Sequence, residues 1–282
     1  MASGFKGNKH VSRIANCFEQ LKARGRKALI PYFVAGDPGL ETTVPLMHQL
    51  VAAGADIIEL GIAFSDPMAE GPVIQLAHER ALANGTSLKR TLEAVRLFRE
   101  QDQSTPVLLM GYANPVEHMG YAAFADAAST AGVDALLTVD IPPEEVSTVN
   151  VELSRVGMDN IFLIAPNTPE QRIDTIVEQA SGFIYYVSLK GVTGAGNLDT
   201  AEVARRAQVI RAHTDLPVAV GFGIKDAQSA RAVAEVADGV VVGSALVDAL
   251  AGAAQPGGSS EEAMAVAVGL LREIRLGIDS LH

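Results

Sequence analysis

The chain has no tryptophan and a single cysteine, Cys17, in 282 residues. One thiol excludes an internal disulfide and fits a reducing compartment. Cys17 shares the apolar face of a predicted helix with Ile14, Phe18 and Leu21, so it reads as a small core residue and not a nucleophile. Positive charge is scarce as well: 22 Lys and Arg stand against 33 Asp and Glu, a net charge of −11, with no basic run. That balance argues against a nucleic-acid partner. No apolar run reaches the ~20 residues that cross a bilayer, and the nearest, 239–254, is interrupted by Asp248. The first ten residues carry Lys6 and Lys9 but no apolar segment of the signal-peptide kind. No HExxH-like spacing joins the histidines, so no metal is expected. The expectation is a soluble, cytoplasmic protein that binds neither nucleic acid nor membrane.

Eight short, apolar stretches recur along the chain: 28–34, 56–60, 106–110, 135–139, 160–164, 183–188, 217–220 and 239–242. Their continuous greasiness is that of parallel strands buried on both faces. Helical patterns separate them, at 73–83 and 87–100, 121–131, 169–180, 200–213, 226–236 and from Ser244 onward, with Pro142-Pro143 placed to open another. A helix-to-strand junction repeats: Ala53-Gly54-Ala55-Asp56 matches Ala131-Gly132-Val133-Asp134, and more loosely Val236-Ala237-Asp238-Gly239. Eight alternations predict an α/β fold, a single (β/α)8 TIM barrel spanning 1–282, with its core at about 14–254. The helix after Ser12 and one of the two helices after the second strand are extra. A Gly/Ser-rich stretch, 255–260, is expected to be mobile before a last amphipathic helix over 261–276. No GxGxxG follows the first strand, which argues against a dinucleotide-binding fold.

In such barrels chemistry lies where strands end and loops begin. Glu59 closes the second strand, where loss of water raises a carboxyl pKa and makes it a proton donor near neutrality. Glu70 offers a second carboxylate on the following loop; an ion-paired Glu59 and a solvated Glu70 are the plainer alternative. After the seventh and eighth strands come Gly221-Phe222-Gly223-Ile224 and Gly243-Ser244. Bare glycine backbone and a helix amino terminus at those two strands make the usual phosphate site of this architecture. Gly191-Val192-Thr193-Gly194-Ala195-Gly196 has the composition of a lid or of a surface loop. Lys190 beside it allows a rival chemistry through a Schiff base.

The run Glu59-Leu60-Gly61, Phe64-Ser65-Asp66-Pro67, Gly71-Pro72 and Ile74-Gln75 resembles the tryptophan synthase alpha subunit family. So do Gly36-Asp37-Pro38-Gly39, Tyr112-Ala113-Asn114-Pro115, Gly191-Val192-Thr193-Gly194 and Gly221-Phe222-Gly223-Ile224, in the family's order, over about 14–271. The resemblance implies a lyase that splits indole-3-glycerol phosphate into indole and glyceraldehyde 3-phosphate. It implies that Glu59 is the general acid–base and Glu70 the carboxylate facing the indole N–H, with Thr193 bonded to that carboxylate and Tyr185 near the glycerol end. Tyr32, Ile74, Met110 and Leu137 would line the indole pocket, and Gly194, Gly221, Gly223, Gly243 and Ser244 the phosphate. Asp66, Pro67, Asn114 and Pro142 match positions facing a beta subunit in an α2β2 heterotetramer. That subunit carries the pyridoxal phosphate, so no cofactor is expected in this chain. Two departures stand out. The family most often has Asp where Glu70 stands, and a shift of about 1 Å can cost about 100-fold in rate. Proline is common where Ala63 stands, so the loop is expected to be less restrained. The absence of tryptophan suits an enzyme made when tryptophan is scarce. Another phosphosugar-barrel isomerase, a Schiff-base aldolase using Lys190, or a non-catalytic activator of a beta subunit are the alternatives.

Overall fold

The computed structural model describes residues 12–187, 200–221 and 223–281. Helix α1 (Arg13–Ala23) opens it, capped by Ser12, whose side chain accepts from the Ala15 N–H. Strand β1 (Ala28–Val34) is buried at every position. It is followed by α2 (Thr43–Ala52), β2 (Ile58–Gly61), α3 (Pro72–Ala83) and α4 (Leu88–Arg99). Next come β3 (Val107–Gly111), α5 (Ala113–Met119), α6 (Tyr121–Ala131) and β4 (Ala135–Thr138). The chain continues through α7 (Ser147–Val156), β5 (Asp159–Asn160), β6 (Phe162–Ile164), α8 (Glu170–Gln179) and β7 (Ile184–Val187). It ends with α9 (Thr200–Arg211), β8 (Val218–Gly221), α10 (Ala227–Ala234), β9 (Gly239–Val242), α11 (Ser244–Ala251) and α12 (Ser260–Asp279).

The strands pair in parallel in the order β5-β4-β3-β2-β1-β9-β8-β7-β6. Strands β5 and β6 are two pieces of the fifth barrel strand, parted at Ile161. One piece pairs with β4 and the other with β7, so the same stretch of chain brings the two ends of the sheet together. At the break the Ile161 N–H still donates to the Leu136 carbonyl at 2.9 Å, while the Asn160 N–H turns to Ser181 Oγ at 2.9 Å. The sequence expectation of a (β/α)8 barrel holds, with this one strand interrupted.

Alternate residues face inward. Ile30, Ile57, Leu108, Leu137, Ile161, Phe183 and Val241 fill the barrel and pack with Ile14, Phe18 and Leu21 of α1. Helix α1 thus plugs the amino-terminal end, with the Phe18 and Phe183 rings 5.6 Å apart. Cys17 is half-buried there, and burial pushes its thiol pKa to about 12, as befits an inert core residue. A second apolar layer lies between strands and helices, with Phe33, Leu60, Leu109, Val220 and Val242 among its members.

The repeated junction has a physical cause. Asp56 accepts from the Leu29 N–H at 2.9 Å and pairs with Arg275 at 3.1 Å. Asp134 accepts from the Val107 N–H at 2.8 Å and pairs with Arg99 and Arg13, both at 2.8 Å. Asp238 accepts from the Val218 N–H at 2.9 Å and pairs with Arg211 at 3.0 Å. Each aspartate ties the start of its own strand to the neighbouring strand. Gly54 and Gly132 sit at positive φ beneath the arginines, where an added Cβ would meet Arg275 Cγ or Arg99 Cγ at 2.7 Å.

Two local expectations are corrected, and one helix is added. Helix α5 was not among the helical patterns read from the sequence; Pro115 fits in its first turn, where a missing N–H costs nothing. Pro142-Pro143 does not open a helix directly; a turn over 143–146 intervenes before Ser147. The last helix begins at Ser260, with Ser259 accepting from the Glu262 N–H, and runs to Asp279, so part of the stretch read as mobile is a helix cap and first turn.

Candidate active site

The second strand places Glu59 in register with Tyr32 of β1 and Leu108 of β3. Its carboxyl is 0 % exposed, and neither oxygen has a hydrogen-bond partner among the described residues. Burial, assisted by the charge of Glu70, pushes its pKa to about 8. The acid is therefore protonated at neutral pH, as a proton donor must be.

Glu70 comes from the loop between β2 and α3. Burial pushes its pKa to about 7. Hydrogen bonds fix the loop that carries it. The Phe64 N–H donates to His78 Nδ1 at 3.1 Å, and the Ala69 N–H donates to Tyr112 Oη at 3.1 Å. Gln75 Nε2 donates to the Glu70 carbonyl at 2.8 Å, and the Glu70 N–H donates to the Pro67 carbonyl at 3.1 Å. The Phe64 and Tyr112 rings stack 5.0 Å apart. These contacts supply restraint that Ala63, in place of a proline ring, does not.

A cavity of about 680 Å³ opens at the carboxyl ends of the strands, a size suited to a small ligand. Tyr32, Glu70, Ile74, Met110, Tyr185, Gly223, Gly243 and Ser244 line it, all singled out in the sequence. Glu59 is not among the lining residues, but Tyr32, its register neighbour on β1, is. Leu137, expected on the wall, is instead fully buried in the barrel interior, and Val139, two residues on along the same face, lines the cavity. Gly221 does not line it either; it clears space for a tyrosine, since an added Cβ would collide with Tyr185 Oη. Gly61 does the same for Tyr32, whose Oη would lie 2.7 Å from such a Cβ.

The far end of the cavity is built from Gly223, at φ 75°, and from Gly243-Ser244 at the start of α11. First-turn N–H groups of a helix have no intrahelical partner and favour an anion. Lys225 and Asp248 also border this end. Thr193, Gly194, Lys190, the rest of the lid-like stretch and Phe222 lie outside the described residues. Asp66 and Asn114 are exposed on the rim, and Pro67 and Pro142 are half-buried. Met68, 84 % exposed, and Leu76 are large apolar side chains in the same region of the chain as Asp66 and Pro67. Sequence reasoning missed His78, Val139, Leu163, Val187 and Lys225. The alternation along β4, β6 and β7 could have found the three apolar ones; nothing in the sequence marked His78. Among the described residues, no group of three His, Cys, Asp or Glu side chains is arranged to hold a metal ion. No helix there is long and apolar enough to cross a membrane.

A parallel (β/α)8 barrel with a cavity at the carboxyl ends of its strands, and a buried acid that has no partner among the described residues, defines the class: a TIM-barrel enzyme. The sequence model of the family described as tryptophan synthase alpha chain matches residues 18–274. The chain is 60% identical over 269 residues to the tryptophan synthase alpha chain of Thioalkalivibrio sulfidiphilus, covering 95% of this chain and 100% of that one. It is 58% identical over 270 residues to that of Thiobacillus denitrificans, covering 96% and 97%. The crystal structure of tryptophan synthase subunit alpha from Legionella pneumophila superposes with a TM-score of 0.88 at 45% identity, covering 95% of this chain and 99% of that chain. The chain belongs to the tryptophan synthase alpha chain family. It is accordingly a lyase of tryptophan biosynthesis, and its family implies a beta subunit as partner.

Proposed function

We propose that this barrel cleaves indole-3-glycerol phosphate to indole and glyceraldehyde 3-phosphate, with Glu59 moving the proton and Glu70 stabilising the charge. The observation that carries the assignment is the Glu59 carboxyl, fully buried, without a hydrogen-bond partner among the described residues and with a pKa of about 8. A buried polar group left unsatisfied costs about 1–3 kcal/mol, which is understandable where substrate supplies the partner.

The step balances on one carboxyl. Protonated Glu59 gives its proton to indole C3, and the ring nitrogen gains positive charge. The carboxylate of Glu70 accepts the indole N–H hydrogen bond and offsets that charge. Ionised Glu59 then takes the proton of the glycerol hydroxyl adjoining the bond. That carbon–oxygen bond becomes a carbonyl, the carbon–carbon bond breaks, and its electron pair restores the neutral indole ring. The acid ends protonated as it began. Tyr185 stands at the glycerol end, and Tyr32, Ile74, Met110 and Leu137 are assigned to the indole side, Leu137 from beneath. Gly223, Gly243 and Ser244 hold the phosphate, while Gly221 serves that end only by leaving room for Tyr185; Gly194 and Thr193, outside the described residues, keep the phosphate and Glu70 roles that the family resemblance implies. The chemistry calls on no cofactor in this chain, and pyridoxal phosphate is assigned to the beta subunit. We place the assembly in the cytoplasm as an α2β2 heterotetramer, with Asp66, Pro67, Asn114 and Pro142 facing that partner.

The test is release of indole from indole-3-glycerol phosphate by the purified chain, with and without a matching beta subunit, and with Glu59→Gln as control. Release that the partner stimulates and the substitution abolishes is expected. Unchanged turnover by Glu59→Gln overturns the acid–base assignment; a borohydride-trapped substrate adduct on Lys190 favours a Schiff-base aldolase instead.

A further inference from the structure

The loop that carries Glu70 has little packing of its own. Ser65, Asp66, Met68, Ala69, Gly71 and Pro72 are exposed, and only Phe64, Pro67 and Glu70 are half-buried among them. Backbone held by few packed side chains is the part of a fold that opens most easily. The place of the Glu70 carboxylate is therefore set by hydrogen bonds to the backbone around it more than by packing.

Three such bonds bracket Glu70. Its own N–H donates to the Pro67 carbonyl at 3.1 Å. Its carbonyl accepts from Gln75 Nε2 at 2.8 Å. The N–H of Ala69, the residue before it, donates to Tyr112 Oη at 3.1 Å. The first bond lies within the loop and would travel with it. The other two come from outside, from α3 and from the chain just after β3.

Both anchors are themselves fixed. The Gln75 N–H donates to the Gly71 carbonyl at 3.0 Å, in the first turn of α3. Tyr112 is 2 % exposed, and its ring stacks on Phe64, whose N–H is in turn bonded to His78 Nδ1 at 3.1 Å. Beside it, the Ala113 N–H donates to Asp140 Oδ1 at 2.8 Å, which ties the chain after β3 to the chain after β4. Neither Tyr112 nor Gln75 lines the cavity. Their polar groups hold the loop and not the ligand.

We propose that Tyr112 and Gln75 are positioning residues for Glu70: they grip the backbone before and after it, and so fix the direction in which its carboxylate leaves the loop. The inference rests on the reading of Glu70 given above. A misplacement of about 1 Å at a catalytic group can cost about 100-fold in rate, so a brace on the backbone acts on kcat without touching the substrate.

Two substitutions test it in the full chain. Tyr112→Phe keeps the ring on Phe64 and removes only the acceptor of the Ala69 N–H. Gln75→Met keeps the length of the side chain and removes only the donor to the Glu70 carbonyl. Each is expected to lower kcat for indole release by about three- to tenfold, the effect of one hydrogen bond. KM should change by less than about twofold, because no atom of the cavity wall is lost. In a Glu70→Ala background the same substitutions should lower kcat by less than about twofold, since the group they aim is gone. Amide hydrogen exchange followed by NMR should show the Ala69 N–H exchanging about tenfold faster in Tyr112→Phe. Equal falls in kcat with and without Glu70 overturn the proposal, because the two side chains then act through something else. So does an unchanged kcat in both single variants, or a rise in KM alone. Should circular dichroism show Tyr112→Phe to be misfolded, Gln75→Met decides by the same criteria. If Glu70→Ala releases indole as fast as the parent, the role given to Glu70 fails, and exchange at Ala69 alone decides whether Tyr112 holds the loop.

Discussion

Replacing Glu59 by glutamine separates what the buried acid does for chemistry from what it does to stability. The side chain is fully buried, both oxygens lack a partner among the described residues, and its pKa stands at about 8 against 4.5 for a free glutamate. Between those values the folded protein holds a proton that the unfolded chain has released. Stability is then full below about pH 4.5 and falls as pH rises towards about 8, the reverse of a salt-bridged carboxylate. At ~1.36 kcal/mol per pH unit, the loss is about 3 kcal/mol by pH 7 and approaches about 5 kcal/mol above pH 8, as upper figures. Glutamine removes the titration. It leaves a buried amide that costs about 1–3 kcal/mol at every pH. The diagnostic quantity is therefore the slope and not the offset. Relative to the parent, Glu59→Gln should gain about 2–3 kcal/mol of unfolding free energy between pH 5 and pH 7. Urea unfolding followed by far-ultraviolet circular dichroism reads this at a series of pH values. The same variant should lose about 100- to 10,000-fold in indole release. Parallel pH–stability curves for parent and variant would refute the reasoning, because they would mean that position 59 is not an acid held neutral by burial.

The pH–rate profile should be a narrow bell. Glu70 must be ionised and Glu59 protonated, so kcat/KM for the free enzyme rises near the pKa of about 7 and falls near that of about 8, as values belonging to the pair; a flat profile between pH 6 and pH 9 would contradict it. Glu70→Asp should remain active while Glu70→Ala loses about 100-fold, measured by indole release; equal loss in both would mean that the loop is rebuilt around the longer side chain. Asp134→Ala should cost about 3–5 kcal/mol in urea unfolding, because it strands the buried Arg99 guanidinium and removes the acceptor of the Val107 N–H. A loss under about 1 kcal/mol would show that Arg99 finds other acceptors.

The barrel was readable because its strands are buried on both faces, which writes them as apolar runs separated by helical patterns. The Gly-x-Asp junctions at Asp56 and Asp134, and the looser one at Asp238, were also visible, although their purpose was not: only the structure shows each aspartate joining two strands and pairing with an arginine from elsewhere in the chain. Errors fell where local signals compete. Helix α5, with Pro115 in its first turn, is too short for its apolar periodicity to mark it. Ile161 lies inside an apolar run, but Ser181 draws off the Asn160 N–H and divides the strand. The site divides in the same way. Strand ends and glycine-rich turns are sequence-local, so Glu59 and Tyr185, within strands, and Gly223 and Ser244, just after them, could be found from their positions. Leu137 and Val139 are two residues apart on one inward face, and only the depth of the cavity decides which of them touches it. His78 carried no signal at all: it lies in a helix among apolar and charged residues, and it matters only because the fold brings its two nitrogens to Phe64 and Tyr32. Groups that do chemistry lie at the ends of elements, where sequence can point to them. Groups that hold others in place are chosen by three-dimensional contact, so the bonds of His78 to Phe64 and Tyr32 could be found only after the barrel had been closed.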